Sequence, residues 1–387
     1  MATDAGTISL SRSVRILAGA VLVNLVAGAL YAWSLFIEPA QTVLEVGRTA
    51  VSSIFAVSTT GFAVAVMGTP LLVRPGTALR PALSATGLSV LGLLLAGWGE
   101  SLWTVILGYG VLYGIASGIG YSTALQSAVG ALPARRGLAT GIAVCAYAMG
   151  AVVFAPFFRA GLEAWNIWET FLATALAFAG LGLVGAALLL PATIPRADRH
   201  ADECLDGPFW RLWFGFFCGA SAGLMALGHA AAIVSAYDLV APAAALGTGL
   251  ITAANGAGRL YAGAVSDYWH PRSVLLGAKV LAAGALVLLV IFESAPLVYV
   301  VLTIMGFAYG SMASGYPTAT LYYYGPTHLG RIYGKMLTAW GAAGLSAPLV
   351  AGALYDWTGS YTLALLLAAG AAVVALAIIW SVPRRHS

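Results

Sequence analysis

Pro191-Ala192-Thr193-Ile194-Pro195-Arg196-Ala197-Asp198-Arg199-His200-Ala201-Asp202-Glu203-Cys204-Leu205-Asp206-Gly207 is the longest polar stretch of the chain, and its position decides the architecture. Arg196, Asp198, Arg199, Asp202, Glu203 and Asp206 crowd into it, although only 8% of the 387 residues are charged and 60% are hydrophobic. An ordinary soluble domain carries about 25% charged residues. A chain this apolar has too little polar surface to cover itself in water. Crossing a bilayer takes about 20 apolar residues. Six such segments precede the stretch, at 14–38, 49–73, 79–98, 102–129, 138–160 and 165–190. Six follow it, at 208–236, 243–266, 273–293, 296–321, 332–355 and 361–382. The expectation is an all-α membrane protein of 12 transmembrane helices in two pseudo-symmetric six-helix bundles, 1–190 and 208–387, joined by a linker at 191–207.

Loop charge orients the chain. Arg12, Arg15, Arg74, Arg80, Arg135, Arg136, Arg196, Arg199, Arg272, Arg331, Lys335, Arg384 and Arg385 fall at the termini or in loops of one parity. The opposite loops hold Glu38, Glu45, Glu100, Glu163, Asp238, Glu293 and Asp356, with Arg48 almost the only base. The positive-inside rule then places both termini in the cytoplasm, as an even number of spans requires. The same rule accounts for the net charge of +4 without a nucleic-acid partner. Met1 to Arg15 reads as a cytoplasmic anchor rather than a cleaved signal, and the expected location is the cell inner (plasma) membrane.

The halves echo one another. Ala155, Pro156, Leu162, Trp165 and Thr170 recur at Ala347, Pro348, Leu354, Trp357 and Thr362, at the matching fifth and eleventh spans. A parallel repeat of six helices is the expected reading, with a substrate site near the midplane where the repeats meet. Cys145, Cys204 and Cys218 are spaced for neither a disulfide framework nor a metal site, and no cofactor is implied.

Charge is nearly absent from the spans, so the exceptions carry information. An arginine near the bilayer centre costs at least about 2.5–3.5 kcal/mol and is retained where it faces a cavity or a partner. Arg259 lies eight residues before Asp267, about 12 Å deep at 1.5 Å per residue. Thr248, Thr252, Asn255 and Arg259 form one polar stripe on a helix. A guanidinium presents a planar fork that matches a carboxylate, and Asn255 adds a further donor. The alternative is an Arg259 that bonds only neighbouring carbonyls or an acid. His229 is the one histidine deep in a span; it suits a coupling proton or a substrate donor, and equally a core histidine. Tyr31, Tyr113, Tyr121, Tyr147, Tyr309 and Tyr316 place hydroxyls inside spans, where each serves packing or a polar cavity. Lys279 and Arg159 read as snorkelling to opposite faces.

Gly258-Arg259 to Asp267, closed by Gly263, Ser266, Pro271 and Arg272, resembles the loop between the eighth and ninth helices of the major facilitator superfamily. Its counterpart after the second span, Arg74-Pro75-Gly76, lacks the acidic residue. Within that superfamily the chain is most similar to the oxalate/formate antiporter family, related to the monocarboxylate transporters. The resemblance runs along the whole chain. It is carried by Gly28-Ala29-Leu30-Tyr31-Ala32-Trp33-Ser34, Gly118-Ile119-Gly120-Tyr121 and Arg136-Gly137-Leu138-Ala139-Thr140-Gly141. Asn255 with Arg259, Tyr333-Gly334, Thr338-Ala339-Trp340-Gly341 and Asp356-Trp357-Thr358-Gly359-Ser360-Tyr361 complete it. The resemblance implies the major facilitator fold and a carboxylate held by Arg259, with Asn255, Tyr31, Tyr121 and His229 as the other candidate substrate-binding residues.

Dicarboxylate carriers of the family add a base within the eleventh helix. Here Lys335 stands at that helix's edge, and no base follows between Met336 and Asp356. The expected function is secondary active transport of a monocarboxylate of the formate, lactate or pyruvate type by a monomer, coupled to a proton or counter-anion. A dicarboxylate/formate exchanger and a non-transporting sensor are the alternatives. No nucleotide-binding loop supplies ATP as an energy source, and no span pairs carboxylates or activates a nucleophile as an enzyme requires.

Overall fold

The computed structural model describes residues 9–72, 76–194, 205–228, 241–292 and 295–384. Twelve long helices occupy the expected positions. In the first half these are α1 (Leu10–Gly28), α2 (Arg48–Leu72), α3 (Leu79–Trp98), α4 (Leu102–Ala131), α5 (Arg136–Ala164) and α6 (Ile167–Leu188). In the second half they are α7 (Gly207–Gly228), α8 (Ala241–Val265), α9 (Pro271–Phe292), α10 (Ala295–Tyr324), α11 (Leu329–Thr358) and α12 (Thr362–Trp380). Among the described residues ten of them are long and apolar enough to cross a membrane; α7 and α8 adjoin residues outside the description. Helices dominate because hydrocarbon offers backbone groups no partner, so each span must satisfy its own. The chain divides into two compact units, Met1–Ala197 and Asp198–Ser387.

In the first unit α1 packs on α4, α5 and α6, α3 on α4 and α6, and α2 on α4. Two spans depart from α-helical geometry. At Gly28 α1 passes into a 3-10 segment, Ala29–Leu35, and α4 contains a π-helical stretch, Ile106–Tyr113. The departures are linked. The α1 carbonyls of Val26, Ala27 and Leu30 accept bonds from the α4 hydroxyls of Tyr113 (2.6 Å), Ser117 (2.8 Å) and Tyr109 (3.0 Å). Side chains thus satisfy carbonyls at the transition out of α geometry, as irregular backbone at membrane depth demands. Asn24, fully buried, donates likewise to the Ala143 carbonyl of α5 at 2.7 Å.

Hydropathy gave no sign of a two-stranded antiparallel ribbon that joins the α2–α3 loop to the segment after α6, pairing Gly76 with Ile194 and Thr77 with Thr193. At the same end of the unit Arg12 Nη2 donates to the Pro191 carbonyl (2.7 Å) and Arg15 Nη2 to that of Ala187 (3.0 Å). The second unit repeats the device on α12: Arg211 Nη1 donates to the Ser381 carbonyl (2.6 Å), and Arg272 to those of Ile379 and Trp380. Cations at a helix C-terminus satisfy its last carbonyls and oppose the macrodipole.

In the second unit α8 packs on α10, α9 on α10 and α12, and α7 on α11, α12 and α10. The outward faces are apolar, as at Leu176, Leu183, Val184, Leu349, Val373 and Val374. Exposed tryptophans stand at helix ends: Trp98, Trp103 and Trp165 in the first unit, and Trp357 opposite Trp210, Trp269 and Trp380 in the second. That placement is the aromatic belt of an interfacial protein surface.

Candidate functional site

The expected site residues fall into two groups, one in each unit. In the second unit Arg259 is buried, 9% exposed, and its Nε donates to Asn255 Oδ1 at 2.7 Å. The four-residue spacing that predicts a stripe therefore makes a direct bond. Asn255 acts as an acceptor here, where the sequence suggested a further donor. The bond uses Nε and fixes the plane of the guanidinium, whose paired terminal nitrogens are the part that matches a carboxylate. Thr252 is half-buried on the same helix, while Ala253, Ala257 and Leu260 make the exposed face.

Glycine holds α8 in place. A Cβ at Gly310 of α10 would lie 2.0 Å from the Asn255 carbonyl oxygen, one at Gly306 2.5 Å from that of Ile251, and one at Gly258 2.2 Å from that of Phe307. Only glycine allows two helix backbones so close. Ser311 Oγ adds a bond to the Gly258 carbonyl at 3.3 Å. Beside this contact lies Tyr309, whose hydroxyl accepts from Trp340 Nε1 at 2.6 Å and is within electrostatic reach of Arg259. Trp340 stands in a segment that carried the family resemblance, yet nothing in the sequence paired it with Tyr309.

In the first unit Tyr31 and Tyr121 are brought onto one partner, Tyr147. Its ring centroid lies 5.4 Å from that of Tyr31 and 5.0 Å from that of Tyr121, both edge to face. Phe62 closes on Tyr121 at 5.5 Å and on Tyr147 at 5.3 Å, and Ser117 Oγ lies 3.1 Å from Tyr147 Oη. The cluster draws on α1, α2, α4 and α5. It forms because α1 and α5 cross without side chains between them: a Cβ at Gly28 would lie 1.7 Å from the Tyr147 carbonyl oxygen, and one at Gly150 2.4 Å from that of Leu25. Rings with hydroxyl tips offer a small anion polar edges and an apolar wall.

Other expectations fare differently. Tyr113 is a structural residue bonded to the Val26 carbonyl. Tyr316 is fully buried and stacks on Phe216 with centroids 4.0 Å apart. His229 and Cys204 lie outside the described residues. Lys279 does not snorkel: it is 2% exposed and donates to Met312 Sδ at 2.8 Å. Gly219 of α7 admits it, so the interior of the unit receives the amine. Outside the spans, burial with Arg384 and Arg272 nearby lowers the His270 imidazole below its usual pKa of 6.5. Among the described residues no group of three potential metal ligands occurs.

The sequence model of the Major Facilitator Superfamily matches residues 17–348 and again 212–387. The chain is 25% identical over 337 residues to the uncharacterized MFS-type transporter YhjX of Escherichia coli (strain K12), covering 84% of each. It is 24% identical over 333 residues to the oxalate:formate antiporter of Oxalobacter formigenes, covering 81% of this chain and 78% of that one. Its fold is similar to that of the proton:xylose symporter XylE, with a TM-score of 0.74 over 96% of both chains at 13% identity.

Proposed function

The chain belongs to the Major Facilitator Superfamily, and from that premise we propose that it is a secondary active transporter of a small organic anion, a monocarboxylate of the formate, lactate or pyruvate type. The observation that carries this reading is Arg259, a buried guanidinium at membrane depth held by Asn255. A permanently charged group in a span is kept for a ligand or a partner, and its fork suits a carboxylate. The relative named as an oxalate:formate antiporter supports an organic anion as cargo. Tyr31 and Tyr121, joined through Tyr147, are proposed to orient the substrate. Alternating access carries it across, coupled to a proton or a counter-anion. With both termini proposed to be cytoplasmic, the chain is placed in the inner (plasma) membrane.

The test is uptake into proteoliposomes of labelled formate, lactate, pyruvate and oxalate by wild type and Arg259→Gln. A hydrogen bond to a charged group contributes about 1.5–3 kcal/mol, so apparent affinity for the transported anion is expected to fall about 10- to 150-fold. Transport by Arg259→Gln equal to wild type removes the carboxylate reading. A second reading, dicarboxylate/formate exchange, is favoured by the same relative. Counterflow of labelled oxalate at rates matching formate decides for it.

A further inference from the structure

Lys279 is a buried charge that the arginine site does not use. It sits on α9 at 2% exposure, its ammonium nitrogen 2.8 Å from Met312 Sδ and 5.5 Å from the Tyr316 ring centroid. The nitrogen occupies the notch at Gly219, where a Cβ would lie 1.8 Å away. With Gly223, Tyr309 and Met312 it lines a cavity of about 10 Å³, roughly room for one water. Tyr309 joins this cavity to the arginine site, since its hydroxyl is bonded to Trp340 and feels the charge of Arg259.

Among the described residues no acid balances this cation. The helices packed on α9 are α7, α10 and α12, and none of the three, nor α9 itself, contains an aspartate or glutamate. The titratable groups that face Lys279 are Cys218 from α7 and Tyr309 and Tyr316 from α10; α12 contributes Ala372 to the cavity and holds no titratable residue. On α9 the other charged residue is Arg272, two turns away and bonded to carbonyls of α12. Tyr316 is itself buried, with no hydrogen-bond partner for its hydroxyl among the described residues. A thioether is a weak acceptor, and a buried ammonium without a counter-charge costs several kcal/mol. Negative charge brought near would stabilise the ammonium form in such surroundings.

We propose that Lys279 is the proton-binding site of this carrier: its amine accepts a proton when an organic anion binds at Arg259 and releases it when the anion leaves, so that anion and proton cross together. The inference rests on Arg259 as the carboxylate site and names the group that carries the coupling proton. Arg259, permanently charged, cannot do so. The linkage is reciprocal: the anion raises proton affinity at Lys279, and the proton raises anion affinity at Arg259 by the same factor. Water-sized space beside the amine admits a proton carrier and excludes the carboxylate itself.

The full chain in proteoliposomes tests this with labelled formate, lactate, pyruvate and oxalate. Two quantities are read: counterflow, which needs no net proton, and accumulation driven by an inside-alkaline gradient. One-to-one coupling gives wild type about tenfold accumulation per pH unit. In Lys279→Met accumulation is expected to fall to unity while counterflow persists at a measurable rate. Gly219→Ala moves the amine out of its notch, since the atom in the way is the flexible end of a side chain, and is expected to lose accumulation with the lysine still present. A pH dye with detergent-purified protein should register proton uptake when the transported anion is added to wild type, and none with Lys279→Met. Wild-type accumulation in either variant that retains counterflow overturns the proposal. So does a wild type that exchanges anion with neither accumulation nor proton uptake; if Arg259→Gln then loses counterflow, the arginine reading stands and only the lysine falls. Counterflow unchanged in Arg259→Gln removes the arginine reading instead.

Discussion

Residue by residue, the spans contain two kinds of buried hydroxyl that composition does not separate. Tyr113 donates to the Val26 carbonyl at 2.6 Å and serves the backbone of α1. Tyr121 meets Tyr147 and Phe62 edge to face in the cluster assigned to the substrate. Tyr113→Phe is therefore expected to cost about 1 kcal/mol of stability, seen as a lower thermal midpoint in detergent, with the affinity for anion unchanged. Tyr121→Phe should weaken anion binding at an unchanged midpoint. The opposite assignment of effects would exchange the roles given to the two rings. Depth in a span gave the two tyrosines equal standing, since it says nothing about which neighbour a hydroxyl meets, and only the family resemblance set Tyr121 apart. Lys279 shows the same blindness. Seven residues beyond Arg272 it is close enough to an interface to snorkel, and only the notch at Gly219 on another helix turns it inward. By contrast Arg259 and Asn255 were legible, since their relation is carried by helical spacing within one element.

Helices as elements were legible from apolar length, and the structure places all twelve where hydropathy does. Their departures from α geometry were not. The 3-10 segment Ala29–Leu35 and the π segment Ile106–Tyr113 are as apolar as their flanks, and they exist because α4 hydroxyls satisfy α1 carbonyls across a contact distant in sequence. The close crossings were visible only as glycine density, without a partner for each glycine. The α8–α10 crossing is the one that matters for the arginine. A methyl group at Gly310 would meet the Asn255 carbonyl at 2.0 Å, backbone that cannot yield as a side chain would, whereas Gly341 on α11 has nothing within 4 Å of its ideal Cβ. Gly310→Ala should then force α8 away from α10, at an overpacking cost of about 1–3 kcal/mol, and carry Asn255 and Arg259 with it. Loss of anion counterflow together with a lowered midpoint is the expected result, and Gly341→Ala should match wild type in both. A Gly310→Ala carrier with full exchange would mean that the crossing does not position the arginine.

For the molecule as a whole, the repeat seen in five echoed residues returns as chemistry. In each unit arginines from the first helix of that unit, Arg12 and Arg15 or Arg211, bind carbonyls at the end of its last helix. Arg12 and Arg15 belong to the set that the positive-inside rule counts, so residues that cap a helix also bear on the orientation of the chain. On that orientation the linker at 191–207 is expected on the cytoplasmic side, and Cys204 within it supplies the probe. With Cys145 and Cys218 changed to serine, Cys204 is the single thiol of the chain. A membrane-impermeant maleimide should label it in inside-out vesicles and leave it unlabelled in right-side-out ones. Ser360→Cys, at an exposed position between α11 and α12, should give the reverse in a background that also lacks Cys204. Labelling of both positions from one side is incompatible with α11 crossing the membrane from the linker face. Exchange of the two patterns would invert the chain, and the arginine caps would then face the outside, against the bias that loop charge imposes on insertion.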